Sequence, residues 1–396
     1  MHPDATTDWR VLTRAVRDGV GTGLAGGRDG GGVDLAGGRI DWERVLGRAR
    51  AHGVTPLLAR GLADRDDVPA SISDRLHEQL RTRAARNLGL ADDLAAIATD
   101  LDAAGIRYLP FKGPVLAQAA YGDVSRRVFA DLDLLVPRSE IGAAVDRLEA
   151  AGFRLVSPRP RKDDATLLGG PLTPPLVHEY TLHRDCTELE VRCQVGYSGN
   201  PFFASVPDLL DRAGRVEVGG RAVPALSPAD RLLVLAFHGT KHRWHLLKWV
   251  ADVAAAVSAS DPAWADVLAK ARAGGLERRL LLAASLAGRV LDSPIPDAVR
   301  RGLTARNVGP LVDTAVEGLR EGPSPRPGWL DGARFNWRAL DSRRARLEMA
   351  VHLSPLHPSL PEYRLLALPG WLHPVYYLIR PFRLAASRGR RLLGGG

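Results

Sequence analysis

"RRVFADLDLLVP", residues 126–137, decides how the chain is read. Asp131 and Asp133 alternate with Leu132 and Leu134. That is the period of a β-strand, so both carboxylates face one side and both leucines the other. Two like charges one pleat repeat (~6.6 Å) apart repel, and burying either one is costly. A metal, a basic side chain or water must neutralise them. A hard divalent cation with oxygen ligands does so directly, and Mg²⁺ is the usual choice beside phosphates. A third carboxylate on a neighbouring strand would complete such a site. "CTELEVRCQV", residues 186–195, offers two: Glu188 and Glu190 share a face opposite Leu189 and Val191. Glu190, deeper in the run, is the preferred third ligand, and Glu188 stays open.

The flanks have the same mixed texture. "IRYLPFKG" (106–113) reads as a strand that ends at Gly113, and "PVLAQAAY" (114–121) as a helix opened by Pro114, a favoured first helical residue. "RSEIGAAVDRLEAAG" (138–152) predicts a helix with Ser139 as N-cap and Gly152 past its end. "FRLVS" (153–157) reads as a strand. "HEYTLHR" (178–184) and "TELEVRCQV" (187–195) read as a hairpin turning near Asp185.

Outside this stretch the periodicity is helical. Residues 41–63 and 69–104 read as helices. The second carries Leu76, Leu80, Ala84, Leu88, Leu90, Leu94 and Ile97 at roughly helical spacing and stops at Gly105. Helical pattern returns from Ser227 to about Arg320. Residues 20–39 are glycine-rich and read as a loop. They lack the Gly-Lys-Ser/Thr of a phosphate loop. Residues 157–175 read as an excursion and 321–330 as a linker. The expected fold is therefore α+β. A small mixed sheet of about five strands occupies 106–225. It is flanked by an N-terminal helical region (1–105), a helical domain (226–320), and a linker with a basic, aromatic tail (321–396).

The net charge of +9 points to an anionic partner: nucleotide, nucleic acid or an acidic surface. The two cysteines, Cys186 and Cys193, can build neither a disulfide framework nor a four-thiol zinc site, and read as buried packing residues. No run reaches the ~20 apolar residues needed to cross a bilayer, and the N-terminus has no apolar signal core. A cytoplasmic protein is expected.

The stretch 108–137 resembles the nucleotidyltransferase superfamily that includes DNA polymerase β. More closely, it is similar to a bacterial family of uncharacterised nucleotidyltransferases. The resemblance rests on Lys112–Gly113 opening a helix, Tyr121–Gly122 at its end, Arg127, and Asp131–Leu132–Asp133. The segment 237–257, "FHGTKHRWHLLKWVADVAAAV", and the tail "YYLIRPFRL" also look family-like. The usual Gly-Gly or Gly-Ser turn is replaced here by Lys112–Gly113–Pro114. An acidic residue followed by Leu-His-Trp is replaced by Glu190–Val191–Arg192–Cys193.

The resemblance implies Mg²⁺-dependent attack of an acceptor hydroxyl on a nucleoside triphosphate such as ATP, with release of pyrophosphate. Asp131, Asp133 and Glu190 would hold metal. Lys112, beside the helix start at Gly113, would meet phosphate. Arg127 would either fork onto phosphate or orient Asp131 as a structural ion pair. The acceptor stays open: a small molecule, a peptide or protein side chain, or an RNA end.

Three further features complete the reading. His238 and His242 sit at i, i+4, the spacing of two helical zinc ligands, but without a metalloprotease motif. Lys241 and His242 form either a plain basic helix end or the nucleotide side of a cleft. Asp252 reads as the structural partner of a basic residue. The aromatic and arginine-rich tail either caps the helical domain or lies on an anionic membrane. Two rivals stand beside the transferase. One is a glycosyltransferase that holds a nucleotide sugar through Asp-x-Asp. The other is a non-catalytic nucleotide- or RNA-binding module.

Overall fold

The structure, a computed structural model, describes residues 5–21, 40–63, 65–157, 179–196, 202, 204–323, 328–353, 362, 365–366 and 368–393. The glycine-rich 22–39, most of the 157–175 excursion and residues 324–327 of the expected linker lie outside the described residues.

The fold is mixed α+β, as the patterning predicts. Helices α1 (Ala5–Val20), α2 (Trp42–Ala51), α3 (Thr55–Gly61) and α4 (Ala70–Ala103) come first. Then follow β1 (Leu109–Pro110), α5 (Gly113–Tyr121), β2 (Asp131–Leu135), α6 (Ile141–Ala150), β3 (Arg154–Ser157), β4 (Glu179–Arg184) and β5 (Thr187–Arg192). After α7 (Val206–Asp211) come β6 (Gly214–Val218) and β7 (Arg221–Ala225). The remainder is helical, beginning with α8 (Pro228–Lys241), α9 (Leu247–Ser260), α10 (Trp264–Ala273) and α11 (Glu277–Leu291).

The chain forms two compact units, neither continuous in sequence. One comprises residues 1–96, 110–132 and 211–341, and the other 97–109, 133–210 and 342–396. The five-stranded sheet runs in the order β1-β2-β5-β4-β3. Its hairpin β4–β5 pairs Tyr180 with Val191 and Leu182 with Leu189, all four buried. The intervening residues of β5, Glu188, Glu190 and Arg192, are only half-buried. Alternation thus sorts apolar from charged side chains across the sheet. Asp185 turns the hairpin at φ 51°, a left-handed conformation that aspartate tolerates. Cys186 beside it is exposed, against the expectation of a packing residue, while Cys193 is buried.

Within the first unit, α1 crosses α3 with almost no gap. A Cβ on Gly61 would lie 1.9 Å from the Ala15 carbonyl oxygen, and one on Gly19 2.0 Å from that of Leu57. Only glycine permits that approach. Leu12, Val16 and Leu58, each essentially inaccessible, seal the contact. Helices α9 and α11 are sheathed in buried Ala251, Ala254, Ala255, Ala283 and Ala287, whose small side chains let helices pack closely.

The structure differs from the sequence reading at four places. Residues 41–63 are two helices, parted at Gly53, which adopts φ 68°. Helix α6 starts one residue after the expected cap. Glu140, not Ser139, is its N-cap, and the Glu140 carboxylate accepts from the Arg107 backbone N–H at 2.7 Å and from its guanidinium. Helix α1 lies within the N-terminal region expected to be helical, although no particular helix was expected at its residues. The hairpin β6–β7, which turns on Gly219–Gly220, was not expected. In the tail, Tyr376–Leu393 is helical, and its Arg380 and Arg383 both pair with buried Glu362. Among the described residues no helix is long and apolar enough to cross a membrane.

Candidate active site

Strand β2 presents Asp131 half-buried and Asp133 buried. On neighbouring β5, Arg192 stands among three acids. It lies 4.0 Å from Asp133, 2.7 Å from Glu179, and bonds Glu190. Burial works against its charge, but Asp133, Glu179 and Glu190 outweigh that and raise its pKa. Glu190 is pushed above the ordinary carboxylate range. Burial is the main cause, and Asp133 adds to it against the opposing pull of Arg192. Glu188 belongs elsewhere: it is 45% exposed and pairs with His183 at 3.1 Å. Of the two glutamates, Glu190 is the one whose charge Asp133 feels.

The Lys-Gly turn has a steric cause. Lys112 is the extended N-cap of α5 and supplies no side-chain cap. Gly113 follows at φ 56°, and a Cβ there would sit 3.2 Å from the Asp131 carbonyl oxygen. Left-handed backbone and close approach together demand glycine. The turn therefore lays the N-terminus of α5 against strand β2. Helix N-termini carry partial positive charge and attract anions. The Lys112 ammonium lies 4.9 Å from the Phe111 ring centroid.

Arg127, read from the sequence as either a phosphate fork or a structural ion pair orienting Asp131, forms its ion pair with Asp252. Its Nε donates to Asp252 Oδ1 at 2.8 Å and its Nη2 to Oδ2 at 3.0 Å, with both side chains buried. Tyr121 adds a donated hydrogen bond to Oδ1 at 2.9 Å. Burial first, then Asp252, raises the Tyr121 hydroxyl well above its ordinary pKa, so it stays a donor. Asn87 of α4 donates to the carbonyls of Val124 and Arg127, pinning the segment that leads into β2. The basic partner expected for Asp252 is Arg127. The two resembling motifs, at the end of α5 and before β2, are thus one buried strut onto α9.

The end of α8 supplies aromatic and basic groups. The Trp249 ring stands 5.1 Å from His242, 4.8 Å from His245 and 5.5 Å from His238, centroid to centroid. Burial, then Lys112 and His242, hold His238 neutral, well below its usual pKa. The i, i+4 histidines pack on Trp249 and on each other, 4.7 Å apart. Among the described residues no three His, Cys, Asp or Glu side chains gather to hold a metal ion. The zinc reading of His238 and His242 therefore lacks further ligands. Lys241 is half-buried, and its carbonyl accepts from Asn336.

Two residues of this region escaped the sequence reading. Lys248, in the first turn of α9, is half-buried. Burial lowers its pKa, Arg127 and Lys112 add to that, and Asp252 and Asp131 oppose it. Its ammonium makes no hydrogen bond or ion pair among the described residues. His52 is fully buried. Its Nδ1 accepts the Leu247 N–H at 3.2 Å and its carbonyl accepts the Lys248 N–H at 3.2 Å. It thereby anchors the start of α9. No local motif marks either residue: the contact spans 195 positions.

The donor set can be judged for Mg²⁺. Asp131 and Asp133 offer hard oxygens on one strand face. Burial is the main cause of the raised proton affinity of Glu190, and the like charge of Asp133 adds to it, while Arg192, 4.0 Å from Asp133, already answers part of that charge. No three-carboxylate cage is formed among the described residues. Mg²⁺ beside a triphosphate needs none, since one or two carboxylates, phosphate oxygens and water complete its shell. The pair fits.

Comparison with known proteins identifies the family. No curated protein matches the chain. Residues 38–292, well over half of it, match the family described as "Uncharacterised nucleotidyltransferase", a span that takes in β1 to β7, α8 and α9. The chain belongs to that nucleotidyltransferase family.

Proposed function

We propose that this protein is a Mg²⁺-dependent enzyme that moves a nucleoside monophosphate from an NTP, with ATP the first to try, to a hydroxyl-bearing acceptor. The observation that carries the reading is the pair Asp131 and Asp133 on one face of β2, with the glycine turn of α5 laid against the same strand. Asp131 and Asp133 would hold Mg²⁺, which when bound neutralises phosphate charge and polarises the α-phosphate. The N-terminus of α5, Lys112 and Lys248 supply positive charge for the triphosphate. Lys241 and His242 stand on the nucleotide side. Arg127 acts through Asp252 and Tyr121 as the strut that holds the approach to β2.

In the transfer step the acceptor oxygen bonds to the α-phosphorus. The bond from that phosphorus to the α,β-bridging oxygen breaks, and pyrophosphate leaves with the electron pair. The hydroxyl proton passes to Glu190, whose raised proton affinity suits a general base.

The test is incubation with each labelled NTP, Mg²⁺ and a small-molecule metabolite extract, scored by pyrophosphate release. Asp131→Asn and Asp133→Asn should each abolish release while the fold survives. Glu190→Gln should lower it by at least ~10²-fold, and Glu188→Gln should leave it near wild type. Full activity in both aspartate variants would sink the reading. Turnover of nucleotide sugars alone would assign a glycosyltransferase, and nucleotide or RNA binding without turnover a binding module.

A further inference from the structure

The first unit contains a cavity of about 600 Å³ lined by Arg50 of α2, Thr55 of α3, and Thr82, Arg83 and Arg86 of α4. That volume suits one small molecule. Three arginines line it together with a single acid, Glu78. None of the three makes an ion pair or side-chain hydrogen bond among the described residues. Their neighbours on the same helices are answered: Arg75 of α4 pairs with Glu43 of α2, and Arg44 with Asp8. Arg83 is partly enclosed, and burial, then Arg86, disfavour its charge. Arg50 and Arg86 are exposed, so the penalty on an empty cavity falls on Arg83. The guanidinium fork matches phosphate or carboxylate oxygens two at a time.

The cavity also adjoins the candidate active site. Val128, on its wall, is three residues before Asp131. Gly53, also on its wall, backs onto the stem of Lys248, where an added Cβ would lie 3.0 Å from Lys248 Cδ. Lys248 in turn feels the charge of Asp131.

We infer that this cavity seats the acceptor, and that the acceptor is an anionic small molecule, a phosphate or carboxylate ester or acid, gripped by Arg50, Arg83 and Arg86. Its role as acceptor site rests on the transferase reading; the anion site itself does not. An anion here has two sources, the acceptor or the triphosphate of the NTP, and the experiment separates them.

Inorganic phosphate is titrated by calorimetry into the full chain without metal or nucleotide. A saturable isotherm is expected. Arg83→Gln and Arg86→Gln should each weaken it by at least about tenfold. Arg75→Gln, outside the cavity, should leave it unchanged. Saturating ATP and Mg²⁺ should also leave it standing. No saturable binding, or binding that survives both cavity substitutions, overturns the site. Competition between ATP and phosphate, with both weakened by Arg83→Gln, overturns the acceptor role and gives the cavity to the triphosphate. A protein that binds phosphate as expected yet never releases pyrophosphate contradicts the transferase reading and not the anion site, so the two failures are told apart.

Discussion

Arg127 and Lys248 both face Asp252, yet the protein treats their charges in opposite ways. Arg127 is buried, and two of its guanidinium nitrogens are matched by both oxygens of one carboxylate. Lys248 is half-buried, and its ammonium has no partner within bonding distance among the described residues. His52, which holds the backbone at the start of α9, shows a third solution: burial, reinforced by the like charges of Arg48 and His245, depresses its pKa to about 4 and keeps it neutral. A cation matched on every side is scaffold. A cation left unmatched at the edge of a site costs stability unless a ligand arrives. The difference separates residues that build the site from those that serve it.

The largest effect is expected at the strut. Arg127→Ala leaves Asp252 buried and uncompensated, with only Tyr121 donating to it among the bonds described above. Removing one partner of a buried ion pair typically costs about 3–5 kcal/mol. Chemical denaturation should show a loss of that order, and Asp252→Asn a comparable one. The comparison breaks if Arg127→Ala is as stable as wild type while nucleotide binding fails, because Arg127 would then be a phosphate ligand, one of the two roles that the sequence offered it.

His52 comes next, and its effect is a pH dependence. Its folded pKa of about 4 lies below the unfolded 6.5. The folded state therefore binds fewer protons than the unfolded one. The stability that His52 contributes is complete above pH 6.5 and is lost as pH falls from 6.5 through 4. A shift of that size corresponds to about 3 kcal/mol. The neutral ring is needed because protonated Nδ1 can no longer accept the Leu247 N–H. His52→Asn should begin less stable at pH 7.5 and flatten the wild-type decline between pH 6.5 and 4. An unchanged slope in the variant would remove His52 from the account.

These residues also mark where sequence ceases to speak. The strands were legible because alternation is local: Asp131 to Leu134 sort by parity, and so do Thr187 to Arg192 around the Asp185 turn. Lys112–Gly113 was legible as a strand-to-helix turn, although its cause, the approach to the Asp131 carbonyl, is a tertiary fact. The β6–β7 hairpin was missed despite Gly219–Gly220, a two-glycine turn between alternating residues. Arg127 was legible as a motif, but not its use. Its partner stands 125 residues away, and nothing local separates a phosphate fork from a carboxylate fork. Lys248, Arg50, Arg83 and Arg86 read as ordinary basic residues on helices. Only the fold reveals that no carboxylate among the described residues forms an ion pair with them.

The smallest effect on stability and the sharpest on function belong to Lys248. Burial, with Arg127 and Lys112, lowers its pKa from the ordinary lysine value, so at pH 7 its charge is present against a folded-state penalty. By the same linkage, that penalty is relieved as pH rises through the lowered folded pKa, and the relief is complete above the unfolded value of 10.5. Lys248→Met keeps most of the stem that packs on Gly53 and removes the charge. Without nucleotide its midpoint of unfolding should equal or exceed that of wild type. With Mg²⁺ and NTP, a lost charge-assisted contact should weaken binding by at least about tenfold, while affinity for the nucleoside stays the same. A stability loss near that of Arg127→Ala would make Lys248 a second strut. Unchanged NTP affinity would take it out of the site. Only a protein that gains or keeps stability while losing triphosphate shows that its unanswered charge is there for the ligand.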